Sequence, residues 1–227
     1  YIINDIYDEK IDEINKENSR IINKKIKSSS AIACYIILNA SALISIFYVA
    51  WTIKKPIFSL IFLYSIYALW KYSKQLKVKF LRGNIVVSWL VALSIINLAL
   101  FDILPIIGNE NSSKIIFKII ICYSIFSFLM TLSREIIKDV EDLEGDKILN
   151  SNTIILKFGL DKTKKIINFL NTLVVILIAF WQYFQYSINQ SSFENNQKIE
   201  IWGTDTISII YTIIVQLFLI LLIFKAN

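Results

Sequence analysis

The most informative absence in this chain is histidine, because none of its 227 residues is a histidine. This absence excludes histidine-based acid–base catalysis, serine–histidine–aspartate triads, histidine-ligated haem and most zinc sites. Cysteine is almost absent too, and Cys34 and Cys122 lie inside apolar runs without forming a Cys-x-x-Cys pair. We interpret both cysteines as small buried hydrophobic residues rather than as a disulfide or as metal ligands.

Glycine and proline are scarce, with five and two residues, whereas hydrophobic residues make up 56% of the chain. All seven glycines and prolines fall at or outside the ends of long apolar runs, as expected of uninterrupted helices. A membrane-spanning helix needs about 20 apolar residues, and the runs lack the period-two alternation of β-barrel strands. We predict an all-α, polytopic transmembrane helix bundle in which residues 1–227 form one domain. Six runs qualify or come close, namely 31–53, 56–71, 84–104, 114–133, 166–187 and 206–224.

Basic residues outnumber acidic residues by 24 to 18, and they concentrate in alternate loops. Residues 1–30 carry six lysines and arginines, residues 71–83 carry five, and residues 133–165 carry seven, whereas the intervening loops carry few. No nucleic-acid-binding motif accompanies this surplus. The alternation follows the positive-inside rule, so it predicts an integral, multi-pass membrane protein whose basic loops face the cytoplasm.

Six of the nine aspartates form two copies of one spacing, Asp-x-x-Asp-x-x-x-Asp. The first aspartate motif is preceded by Asn4, and the two motifs lie in the predicted cytosolic segments 1–30 and 133–165. Positions i, i+3 and i+7 share one helix face, so each motif can direct three carboxylates at one point. Oxygen ligands of this kind suit divalent cations, most simply Mg²⁺ carrying a diphosphate. The motifs are Asp5, Asp8 and Asp12, and Asp139, Asp142 and Asp146.

Basic and polar residues near the motifs are candidates for binding the diphosphate. The segment 71–83, called the basic loop below, contains five cations and no acid. Fixed cations stabilise the charge that develops on a leaving diphosphate. The candidate substrate-binding residues are Asn4, Tyr72, Lys77, Arg82, Asn84, Arg134 and Lys138.

Three stretches together resemble the UbiA superfamily of intramembrane prenyltransferases. NDIYDEKIDEINKENSR resembles its first signature, KYSKQLKVKFLRGNIVV is similar to its basic loop, and REIIKDVEDLEGDKILNSNTIILKFG resembles its second signature, including Thr153 and Gly159. The chain departs from the family at NKENSR, which lacks the usual proline and shifts Arg20 by one residue. Within the family, the second signature looks most like that of enzymes that add a geranylgeranyl group to geranylgeranylglyceryl phosphate.

The resemblance implies a nine-helix bundle around a central cavity, of which this chain would carry helices three to eight. The chain would then be truncated at both ends. It also implies Mg²⁺-dependent transfer of a prenyl group from a prenyl diphosphate to a lipid-like acceptor, within the membrane lipid and with the site facing the cytoplasm. The two aspartate motifs would each bind one Mg²⁺. Nucleic acid is not an expected binding partner.

Two alternatives remain open at this point. The acceptor could be aromatic, such as a quinone or chlorophyll precursor. Outside enzymes, the chain could be a multispan carrier with a cation site, although carriers place ionisable residues near the bilayer midplane. The few charged residues within the predicted spans, Asp102 and Lys118, lie near the span ends and favour an enzyme.

Overall fold

The computed structural model describes residues 2–15, 21–106, 111–148, 151–194 and 206–226. Within these ranges the chain forms helices and turns, apart from an isolated bridge between Ile22 and Ile26. The all-α prediction is therefore confirmed. The α-helices of the described part are α1 (Ile2–Asn15), α2 (Ser28–Thr52), α3 (Leu60–Lys71), α4 (Arg82–Leu98), α5 (Asn111–Glu141), α6 (Leu143–Ile148), α7 (Ile154–Glu194) and α8 (Thr206–Ala226).

Four helices of the described part are long and apolar enough to cross a membrane. They are Ser28–Thr52, Arg82–Ile103, Ser113–Glu141 and Ile154–Phe184. The last predicted span is a shorter apolar helix, Ile209–Lys225. The predicted span 56–71 is also short, since its α-helix has 12 residues and rises only about 18 Å at 1.5 Å per residue, against a hydrocarbon core of about 30 Å.

Regular α-helix gives way at three places. The first two lie inside the predicted runs 56–71 and 84–104, where the prediction of uninterrupted helices is wrong, whereas Gly159 lies outside the predicted run 166–187, as predicted. Pro56 opens a 3₁₀ turn before α3, because proline fixes its φ angle and has no N–H to continue a preceding helix. The end of α4 widens into a π-turn at Ala99–Ile103. Gly159 breaks α7 after its first turn with φ 77° and ψ 173°, a backbone conformation that glycine adopts without the steric cost of a Cβ.

Packing centres on α5, which contacts α4 on one side and α7 on the other, while α8 packs on α7. One buried cluster joins Ile136 of α5 to Ile154 and Leu170 of α7. Phe80 and Leu81 of the basic loop pack against this cluster. The basic loop is thereby held to the end of the bundle where α5 ends and α7 begins.

The outer helices have few packing partners. Cys34 on α2 is exposed, so the prediction that it is buried is wrong, whereas Cys122 on α5 is half-buried. The physical reason is that α2 lies at the side of the bundle and buries only Ala31 and Ala50. Its remaining apolar surface is of the kind that lipid would cover.

Candidate active site

The basic loop is shaped by its backbone. A π-turn at Tyr72–Leu76 follows α3 directly, and Leu81 then adopts a left-handed conformation with φ 56° immediately before α4. Gly83 lies so close to the π-turn that a Cβ built on it would be 3.0 Å from both the Leu76 carbonyl oxygen and the Lys77 Cα. The loop therefore folds back on itself and needs a residue without a side chain at position 83.

The first aspartate motif lies on α1, which packs against α2, α3 and the π-turn. The Asn4 amide donates a hydrogen bond of 2.6 Å to Asp8 Oδ2, and the ammonium group of Lys77 forms an ion pair with the same carboxylate. Nearby, the indole N–H of Trp70 donates to the hydroxyl of Tyr7 at 3.1 Å. The ion pair fastens α1 to the basic loop, and the Trp70–Tyr7 hydrogen bond fastens α1 to α3.

The structure describes this motif in part. Asp5 is half-buried, whereas the side chain of Asp12 and the whole of Arg20 lie outside the described residues. Asn4 Oδ1 is buried and has no hydrogen-bond partner among the described residues. Because its amide N–H group is used on Asp8, this oxygen remains as an acceptor beside the carboxylate.

The second aspartate motif spans the end of α5 and the short helix α6. Asp139, in the last turn of α5, accepts a hydrogen bond of 2.9 Å from the Asn84 amide. Asn84 itself is only 8% exposed and lies in the first turn of α4. Asp142 is exposed and Asp146 is half-buried.

The chain that follows this motif also returns to the basic loop. The Asn152 N–H donates to the Val78 carbonyl at 2.8 Å, and the Ser151 N–H donates to the Asp146 carbonyl at 3.0 Å. The basic loop and the start of α4 therefore contact both motifs, the first through Lys77 and the second through Asn84. The two motifs consequently lie at the same end of the bundle.

Burial and crowding perturb the charges at this end. Burial lowers the pKa of Lys77 to about 8, and the positive charge of Lys138 acts in the same direction. Burial, followed by the charges of carboxylates that include Glu135 and Asp139, raises the pKa of Tyr72 to about 12. Tyr72 therefore keeps its proton and can donate a hydrogen bond at neutral pH.

Asp146 shows how the second motif is desolvated. Burial raises the pKa of the Asp146 carboxyl, and the negative charge of Asp142 adds to the effect. The hydroxyls of Ser151 and Thr153 act in the opposite direction by favouring the charged form. Partly desolvated carboxylates that repel each other are an environment that a bound cation would stabilise.

The donor set fits a hard cation, although its members are not gathered into a preformed cage. Carboxylate oxygens and the unpartnered Asn4 Oδ1 are ligands that Mg²⁺ prefers. Among the described side chains, however, no three acidic residues lie close enough to hold a metal ion. Lys77 instead supplies the positive charge beside Asp8.

Two candidate diphosphate-binding residues lie apart from this constellation. Arg82 lines a separate cleft together with Lys71 and Lys79. The Arg134 side chain is 80% exposed and lies 3.7 Å from Glu135. The other two predicted cations, Lys77 and Lys138, lie closer together, since the positive charge of Lys138 contributes to lowering the pKa of Lys77.

Several supporting residues escaped sequence reasoning. Trp70, Tyr7 and Asn152 carry no spacing that marks them, because their partners are remote in sequence. Gly83 carried a usable signal, since a glycine directly before a polar helix start often marks a close backbone approach.

Comparisons with known proteins identify the family of this chain. The UbiA prenyltransferase family matches residues 1–190. Digeranylgeranylglyceryl phosphate synthase of Sulfurisphaera tokodaii is 30% identical over 189 residues, which cover 82% of this chain and 60% of that protein. The enzyme of the same name from Saccharolobus solfataricus is 34% identical over 180 residues, covering 78% and 58%. The chain thus spans about three-fifths of the length of these curated relatives.

A solved structure shares the fold. It is described as "Structural and mechanistic insights into the biosynthesis of Digeranylgeranylglyceryl phosphate synthase in membranes", and it aligns with a TM-score of 0.58 over 99% of this chain and 77% of its own. At 24% sequence identity this likeness speaks for the fold alone. Together with the four long apolar helices, the family match indicates an integral membrane protein.

Proposed function

Because this chain belongs to the UbiA prenyltransferase family, we propose that it transfers a prenyl group from a prenyl diphosphate to a lipid-like acceptor. The observation that carries the proposal is the pair of contacts from Lys77 to Asp8 and from Asn84 to Asp139. These contacts bring one carboxylate of each motif to a loop that also supplies cations. A diphosphate bound there would meet metal-ligating oxygens on both sides and an ammonium group between them.

Mg²⁺ is the proposed cofactor. Asp5, Asp8 and Asp12 would hold one ion with the help of Asn4, and Asp139, Asp142 and Asp146 would hold the other. When bound, the ions supply Lewis-acid stabilisation of the negative charge on the leaving diphosphate.

The side chains of the chain itself would bind and orient the substrate. Lys77, now paired with Asp8, would turn to the diphosphate once a metal neutralises that carboxylate. Lys138 adds positive charge on the opposite helix, and the neutral hydroxyl of Tyr72 can donate a hydrogen bond to a phosphate oxygen. Asn84 keeps the Asp139 carboxylate in place through its 2.9 Å hydrogen bond. Arg82 and Arg134 remain proposed partners that would have to move toward the diphosphate.

The apolar surroundings would protect the reaction from water. Cleavage of the allylic C–O bond leaves a cation that water would quench, so the isoprenoid tail is proposed to lie between apolar helices. The proton lost from the acceptor would go to the phosphate of the acceptor or to a carboxylate of the second aspartate motif. The site is proposed to face the cytoplasm, since the basic loops lie at its end of the bundle.

The acceptor is proposed from the relatives. The relatives from Sulfurisphaera tokodaii and Saccharolobus solfataricus carry the name digeranylgeranylglyceryl phosphate synthase, so geranylgeranylglyceryl phosphate is the acceptor to test first, with geranylgeranyl diphosphate as the donor.

The test compares matched aspartate variants of the protein in detergent or nanodiscs. Products are identified by mass spectrometry with and without EDTA, for Asp8→Asn, Asp139→Asn and the control Asp161→Asn. Asp161 is an exposed aspartate on α7 outside both motifs. We expect EDTA and either motif variant to reduce turnover by roughly 100-fold or more, with the control unchanged. Near-normal turnover in both motif variants would end the proposal.

A further inference from the structure

A cleft of about 490 Å³ lies beside the basic loop at the start of α4. Three cations line it, Lys71, Lys79 and Arg82, above the apolar side chains of Leu76, Ile85 and Val86. No aspartate or glutamate is among its lining residues, so it is distinct from the constellation around Asp8 and Asp139.

The cleft favours an anion. Within the described part of the chain, none of its three cations forms an ion pair. Lys71 is oriented instead by the ring of Tyr67, whose centroid is 5.5 Å from the ammonium nitrogen. Arg82 is also the first residue of α4, and the amino end of a helix carries a partial positive charge. The positive charges of three cations and of a helix terminus therefore converge on the cleft, and no acidic residue among its lining residues neutralises them.

The floor of the cleft continues as an apolar stripe along α4. Arg82, Ile85 and Trp89 are spaced three and seven residues apart and so share one helix face. Ile85 is 45% exposed and Trp89 is 42% exposed. Because α4 rises 1.5 Å per residue, this face changes from cationic to apolar over about 10 Å. Each headgroup region of a bilayer is about 5–8 Å thick, so a phosphate held at Arg82 would place its acyl chains beside Ile85 and Trp89.

We propose that this cleft binds the phosphate headgroup of an anionic membrane phospholipid, whose acyl chains lie along Ile85 and Trp89. The apolar stripe distinguishes a lipid from a free phosphate, which would gain nothing from it. The position also fits, because α4 is a candidate membrane span that begins at Arg82. A bound lipid would brace the basic loop through residues other than Lys77, which contacts the first aspartate motif.

The experiment measures lipid binding and needs no turnover. The purified protein in a neutral detergent is titrated with dioctanoyl phosphatidylglycerol, dioctanoyl phosphatidylcholine or inorganic phosphate, and thermal unfolding is followed by tryptophan fluorescence. Ligands that bind the folded state raise its unfolding temperature. The variants are Lys71→Gln/Lys79→Gln, its charge-preserving partner Lys71→Arg/Lys79→Arg, and the control Lys164→Gln/Lys165→Gln. The control removes the same charge from exposed positions on α7.

We expect phosphatidylglycerol to stabilise the wild type and the control alike, and phosphatidylcholine to do so much less. The glutamine double variant should bind phosphatidylglycerol roughly 30-fold more weakly, which corresponds to about 2 kcal/mol for the two cations it removes. The arginine double variant should bind nearly as the wild type does, which separates lost charge from misfolding. Equal weakening in the control, or equal stabilisation by inorganic phosphate, would overturn the proposal.

Discussion

Replacing Gly83 by alanine tests whether the shape of the basic loop determines activity. The new Cβ would lie 3.0 Å from the Leu76 carbonyl oxygen, 3.0 Å from the Lys77 Cα and 3.2 Å from Tyr72 Cε2. Two of these three neighbours are backbone atoms, which cannot rotate away as a flexible side chain would. The loop must therefore move as a body, by about half an ångström, to restore ordinary van der Waals contact.

The expected magnitude follows from opposing terms. Overpacking costs about 1–3 kcal/mol, whereas replacing a helical glycine by alanine recovers up to about 1 kcal/mol. The net loss of stability should be about 0–2 kcal/mol. Activity should fall more clearly, because Lys77 moves with the loop and a misplacement of about 1 Å can cost roughly 100-fold in rate. For half that displacement we expect a loss of roughly tenfold.

Gly159→Ala is the matched control for this variant. At Gly159 a Cβ would meet no atom within 4 Å, but the φ of 77° and ψ of 173° are adopted almost only by glycine, so alanine there should cost about 1–3 kcal/mol through backbone strain. The two variants should lose similar stability by unlike mechanisms. Prenyl transfer and thermal unfolding are measured for both. If Gly83→Ala retains full activity, or if both variants lose activity equally, the positioning argument is refuted.

The remaining predictions concern single contacts. Asn84→Ala should lower the apparent affinity for Mg²⁺ about 10- to 100-fold, because Asp139 loses the amide that orients it. The Mg²⁺ concentration for half-maximal turnover should rise accordingly, and an unchanged Mg²⁺ curve would contradict this. Lys77→Met should raise the KM for the donor and enlarge the Mg²⁺-induced rise in unfolding temperature, since Asp8 then lacks its cation; a smaller rise than in the wild type would count against the ion pair. Ile136→Ala should lower the free energy of unfolding by about 2–5 kcal/mol, measured by chemical denaturation, because this side chain is 1% exposed; a loss below 1 kcal/mol would contradict its place in the core.

Periodicity and composition predicted much of the fold. Apolar runs of about 20 residues leave a helix as the favoured structure, so the long helices were predictable to within several residues. The extension of α7 to begin at Ile154 was not predicted. Residues 154–165 mix apolar residues with charges and a glycine, so they form no long apolar run, and Ile154 is placed by packing against Ile136 and Leu170.

The candidate site divides in the same way. The equal spacing of the two aspartate motifs indicated which carboxylates share a helix face, since that relation is local. The separation of Lys77 from Arg82 was not predictable, although both belong to one basic loop. A π-turn and a left-handed Leu81 rotate these side chains toward different surroundings, and neither feature follows from residue type.

Local chemistry was thus readable from the chain alone: helices in apolar runs, carboxylates in register, and cations gathered at one end. Tertiary structure decided which partner each of these groups meets. Lys77 forms an ion pair with Asp8, Asn84 donates a hydrogen bond to Asp139, and Arg82 lines a separate cleft. The physical reason is that helix periodicity is set by neighbours three or four residues away, whereas these contacts join residues 55 to 69 positions apart. Their geometry depends on how α1 packs against the π-turn, how α4 packs against α5, and how the basic loop packs on the buried cluster between α5 and α7.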